Sequence, residues 1–73
     1  MNRSFYEYLM TLKGPNISEP ETKFANDVGE DLSFPKHSKN YQEISHYLEF
    51  NAYYIDNMDL FDEVWEQYVE NNA

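Results

Sequence analysis

Seventy-three residues, 41% hydrophobic and 18% aromatic, make one domain (residues 1–73) and exclude a disordered tail. The chain has no cysteine, which excludes thiol chemistry, Cys-ligated zinc and a disulfide scaffold. The net charge is −9, which sets the whole surface against phosphate backbones and anionic lipid heads.

The amino-terminal stretch MNRSFYEYLMTLKGP carries no signal-peptide pattern. Glu7 breaks its apolar residues, and none of the chain's apolar runs reaches the ~18 residues of a membrane span. A soluble cytoplasmic protein is expected. The first helix opens at Ser4, with Glu7 at the capping-box position. Phe5, Tyr8, Leu9 and Leu12 supply its buried face, and Gly14-Pro15 ends it. The second opens at Ser18, again with a Glu three residues on, and buries Phe24, Ala25 and Val28. Gly29 lies near its end, and Leu32 and Phe34 pack from the following loop.

The third helix opens at Ser38 or Asn40, of which Asn40 with Glu43 makes the better cap pair. It buries Tyr41, Ile44, Tyr47 and Leu48 and stops near Asn51. Residues 52–55, AYYI, read equally well as a helical turn or a strand-like link. The fourth helix opens near Asp56 or Asn57, buries Phe61, Val64, Trp65 and Tyr68, and frays before ENNA. With no long alternating strand and no repeat, the expected fold class is all-α: a compact bundle of about four short helices.

SFYEYL at 4–9, FAND at 24–27, DLSFPKHS at 31–38, YQEISHYLEFNAYY at 41–54 and MDLFDEVWEQY at 58–68 together resemble the YozE-like family of low-GC Gram-positive bacteria. The resemblance covers nearly the whole chain. It implies a SAM-like (sterile-alpha-motif-like) all-α fold and no activity.

Charge is unevenly distributed. Residues 1–39 carry five basic and six acidic side chains, whereas residues 40–73 carry eight acidic and no Lys or Arg. Asp59, Asp62, Glu63, Glu66 and Glu70 form a stripe along the last helix, opposite its apolar face. Such a stripe serves solubility or docks a basic protein. The last basic residues, Lys36 and Lys39, flank His37 and are expected to fold back toward the acidic helix faces. The alternative for that loop, with Arg3 or Lys13, is direct nucleic-acid contact, disfavoured against a −9 background. A further alternative is an acidic mimic of nucleic acid.

Glu43 and His46 have the Glu-x-x-His spacing of di-iron bundles, but only one copy is present. The simpler expectation is an exposed His46 ion-paired with Glu43 and Glu49. There is no G-x-S-x-G, Walker loop or G-x-G-x-x-G, and short helices leave little room for a pocket of ~300 Å³. No catalytic residue, metal ligand or cofactor is assigned, and a non-enzymatic monomer or weak homodimer is expected. Trp65, Phe61, Phe5, Phe24 and Tyr47 are assigned to the core; Tyr6, Phe50, Tyr53 and Tyr54 are left for a contact patch.

Overall fold

The computed structural model describes residues 3–72. Its helices are α1 (Phe5–Met10), α2 (Pro20–Gly29), α3 (Tyr41–Asn51) and α4 (Met58–Asn72), with no strand among the described residues. No helix among them is long and apolar enough to cross a membrane. Residues 52–55, left open by sequence, form a turn at Tyr53 and Tyr54 rather than a strand.

Local chemistry explains where each helix starts. The Ser4 hydroxyl accepts the Glu7 N–H at 3.2 Å while Ser4 N–H donates to Glu7 Oε1 at 2.8 Å. This reciprocal box satisfies two otherwise orphaned donors of α1. In α3, Asn40 Oδ1 accepts from Glu43 N–H at 3.0 Å. Glu43 does not return to the Asn40 backbone; it accepts the Ser38 hydroxyl at 2.7 Å, and Ser38 Oγ accepts Asn40 N–H at 3.1 Å. Both residues considered for this start therefore take part in it. In α4, Asn57 Oδ1 accepts from Asp59 N–H at 2.8 Å.

Three boundaries differ from the expectation. The N-cap of α2 is Glu19, not Ser18, and it makes no side-chain cap bond. Pro20 is the reason: it excludes helical geometry from the residue before it, so Glu19 is held extended and becomes the cap. Helix α1 ends at Met10, well before Gly14-Pro15. The Thr11 hydroxyl donates to the Tyr8 carbonyl at 2.6 Å, and the next N–H groups bond three residues back, tightening the chain into turns. Helix α4 does not fray before residues 70–73 but continues to Asn72, and Ala73 lies outside the described residues. Its last turns are held from outside by Tyr68, which donates to the Arg3 carbonyl at 2.7 Å, and from within by Asn71, which donates to the Gln67 carbonyl at 2.7 Å.

The core forms where α1 packs on α4. Phe5 is fully buried, its ring 5.5 Å from Phe61, 5.3 Å from Trp65 and 5.6 Å from Tyr68. Edge and tilted geometries like these add about 0.5–1.5 kcal/mol per pair beyond area burial. Leu9, Phe24, Ala25, Val28, Ile44, Leu48 and Val64 close the remaining space, while Leu12, Tyr47 and Trp65 are only partly buried against it.

Two assigned core residues turn outward. Leu32 is 87% exposed, whereas Phe34 is buried as expected. Asp31 makes the difference, because its carboxylate accepts Ser33 N–H at 3.1 Å and its carbonyl accepts Phe34 N–H at 3.2 Å. That turn swings Phe34 inward and leaves Leu32 at the corner. Tyr41, the first residue of α3, is exposed, although its ring stacks on Phe61 at 5.3 Å.

Candidate functional site

Asp59, Asp62, Glu63, Glu66 and Glu70 all lie exposed along α4. The sequence places Asp59 with Glu63, Asp62 with Glu66 and Glu66 with Glu70 four residues apart, so like charges face one another. Among the described residues, Asp62 is the one carboxylate of the five with a side-chain partner, the Tyr41 hydroxyl, which donates to it at 2.6 Å. That bond, together with some desolvation, raises the Tyr41 pKa. Among the described residues, the only lysine within 4 Å of a carboxylate is Lys23, 2.8 Å from Asp27.

Lys36 and Lys39 therefore do not pair with the acidic faces. The backbone between them is fastened to the start of α1: Ser4 Oγ donates to the Lys36 carbonyl at 2.7 Å, and Phe5 N–H to the Ser38 carbonyl at 3.4 Å. From this fixed loop the Lys36 ammonium donates to the Leu32 carbonyl at 3.1 Å and sits 5.6 Å from the Tyr6 ring centroid. His37 and Lys39 are exposed. The segment around Lys36-His37-Ser38-Lys39 joins α1 to the start of α3 through the Lys36 and Ser38 carbonyls and the Ser38 hydroxyl.

His46 is exposed as expected, but it is not ion-paired among the described residues; its ring lies 4.6 Å from Phe50. Glu43, its Glu-x-x-His companion, is bonded to Ser38 instead. No group of three metal-ligating side chains occurs among the described residues. Tyr6 and Tyr54 leave the contact patch to which they were assigned. Tyr6 packs 5.9 Å from the Phe34 ring, and Tyr54 is half-buried. Phe50 and Tyr53 remain, 67% and 92% exposed.

A constellation the sequence did not suggest surrounds Asp31. Tyr47 and Tyr54 both donate to its Oδ2, at 2.7 and 2.8 Å, while Ser33 N–H holds Oδ1. Burial by itself pushes this carboxyl up. The two phenol hydroxyls, the Ser33 amide and the field of Lys36 outweigh it and hold the carboxyl below its usual range. The phenols respond in the opposite sense. Burial first, and the bond to Asp31 second, push Tyr47 up to about 12 and raise Tyr54 further. Three elements are joined here: the α2–α3 loop, α3 and the turn before α4.

Two open depressions adjoin this cluster and share Asp27 and Tyr54. One, of about 220 Å³, is floored by Phe24, Ile55 and Leu60. The other, of about 230 Å³, is bordered by Glu30, Asp31, Leu32 and Tyr53. A shallower hollow of about 350 Å³ lies at Pro35–Ser38 and Glu43, so the surface is more indented than short helices suggest.

Comparison with known proteins places this arrangement. The family model described as YozE SAM-like fold matches residues 4–70. A UPF0346 protein of Enterococcus faecalis is 60% identical over 72 residues, 99% of each chain. One of Limosilactobacillus reuteri is 49% identical over 70 residues, 96% of each chain. One of Listeria innocua is 49% identical over 69 residues, 94% of this chain and 90% of the relative. With four helices, no strand among the described residues, and a family match spanning residues 4–70, this chain belongs to the YozE SAM-like family.

Proposed function

We propose that this chain is a non-enzymatic interaction domain whose acidic α4 face docks a basic surface of another protein. The carrying observation is the set of five exposed carboxylates on α4, with no Lys or Arg anywhere after Lys39. Solubility alone is served as well by mixed charge, and a Lys four residues from each Glu would also steady the helix. A face that keeps unrelieved like-charge neighbours is instead suited to steering and holding a cationic surface. The cysteine-free composition fits a reducing cytoplasm, where the chain acts as a monomer or weak homodimer.

Direct nucleic-acid contact through the Lys36-His37-Lys39 loop has less support, because the Lys36 ammonium is already bonded to Leu32 and lies over Tyr6. The test is affinity capture from lysate at low and high salt, with mass-spectrometric identification. A basic protein retained at low salt and released at high salt is expected; the absence of any salt-sensitive partner contradicts the proposal.

A further inference from the structure

The largest apolar exposures are not all scattered. Leu32 and Tyr53, 87% and 92% exposed, border the same depression of about 230 Å³ at the end of α2. Its wall carries the carboxylates of Asp27, Glu30 and Asp31. Asn51, the last residue of α3, also lines it, and the last turn of α3 contains no basic residue to meet its negative dipole end.

No Lys or Arg lines this depression. Lys23 is bonded to Asp27, Lys36 to the Leu32 carbonyl, and the Lys13 ammonium lies beside Gly29. Asp27 is therefore partly neutralised, whereas Glu30 is exposed and has no ion-pair partner among the described residues. Asp31 has three donors, two on Oδ2 and one on Oδ1, which leaves acceptor capacity on a carboxylate that takes about four. Its position is fixed by those bonds before any ligand arrives.

We infer that this depression receives one arginine side chain of a basic partner protein, its guanidinium between Glu30 and Asp31 and its plane against the Tyr53 ring. Leu32 then meets the apolar residue beside that arginine. The inference rests on the proposed docking of a basic protein and adds a second contact, outside α4, and the side chain that makes it. Charge complementarity selects a cation. The exposed ring and the exposed leucine select arginine in an apolar setting over a hydrated metal ion or a bare ammonium, because a guanidinium is planar, weakly hydrated, stacks on tyrosine and bonds carboxylates as a fork. A concave, mixed patch of this kind is where an anchoring side chain binds.

The experiment is a ¹H–¹⁵N titration of the full chain at ~50 mM salt, where surface charges are only partly screened. The probes are the peptide acetyl-Ala-Leu-Arg-Leu-Ala-amide and its citrulline twin, which has nearly the same shape and no charge. The arginine peptide is expected to shift amides at residues 27–32 and 51–54, and the citrulline peptide to leave them unmoved. Glu30→Gln and Tyr53→Ala, both at exposed positions, are expected to weaken the response roughly two- to fivefold each. Shifts confined to α4 overturn this site while leaving α4 docking intact. Equal shifts with both peptides overturn the guanidinium assignment. Spectra that change with protein concentration and not with peptide assign the depression to a second copy of this chain, which also overturns it. No response anywhere removes this site and counts against the docking function as well.

Discussion

Tyr54 donates its hydroxyl to Asp31 Oδ2 at 2.8 Å, across 23 positions of sequence, and so fastens the turn before α4 to the loop after α2. Tyr47 shares the same oxygen at 2.7 Å. Bonds to a charged acceptor contribute about 1.5–3 kcal/mol each. Tyr54→Phe is therefore expected to lower stability by about 1–2 kcal/mol in urea unfolding. The Tyr47→Phe, Tyr54→Phe double variant is expected to lose more than the sum of the two, because of the three donors to this half-buried carboxylate it leaves Ser33 N–H.

The same cluster sets the pH dependence. The Asp31 carboxyl is held below its usual range in the folded chain. Its contribution is present above the unfolded value of about 3.9 and is lost as the pH falls through the lower folded value. Tyr47 and Tyr54 are raised, so their contribution is complete below about pH 10 and is lost on the alkaline side. For Tyr47 the loss begins near the unfolded value of about 10 and is complete as the pH rises through about 12. Thermal melting against pH should show both limbs, and the double Phe variant should flatten the alkaline one.

On α4, Glu66 lies four residues from both Asp62 and Glu70. Glu66→Lys converts two repulsive pairs into attractive ones and is expected to stabilise the chain by about 0.5–1 kcal/mol at low salt. The gain should shrink as salt rises, read from the urea midpoint. A chain that becomes more stable when this face is relieved is one whose native sequence keeps the repulsion for another reason.

Gly14 has no positive φ, and a Cβ there would meet Thr22 Cγ2 at 3.8 Å, an ordinary contact. Its backbone is held by Asn26, which accepts Gly14 N–H at 3.3 Å and donates to the Gly14 carbonyl at 2.8 Å. Gly14→Ala keeps both bonds and is expected to stabilise by about 0.4–1 kcal/mol by restricting the unfolded chain. The melting temperature reports it.

What was legible in the sequence was local. Ser4 with Glu7, and Asn40 with Glu43, act within a single helical turn, so the residues that cap are the residues one can read. Glu19 was legible too, since Pro20 dictates it, but the Ser18–Glu21 spacing imitates a capping box and points one residue too early. Thr11 shows the limit of breaker residues: its hydroxyl ends α1 before Gly14-Pro15 can. Leu32 and Phe34 are equally apolar, and only the turn made by Asp31 decides which one goes inward. The Asp31 cluster and the last turns of α4 depend on partners brought from distant sequence, Tyr54 in one case and the Arg3 carbonyl in the other. No spacing rule reaches that far. The acidic stripe of α4 was read correctly as an exposed face, because helical period places it opposite Phe61, Val64 and Tyr68.

The docking function is tested most directly by repeating the low-salt capture with α4 neutralised. Asp59→Asn, Glu63→Gln, Glu66→Gln and Glu70→Gln remove four exposed charges and leave Asp62 with its Tyr41 bond. The account predicts that a basic protein retained by the native chain is lost by this variant, while circular dichroism shows an unchanged helical fold. Equal retention by both chains would contradict it.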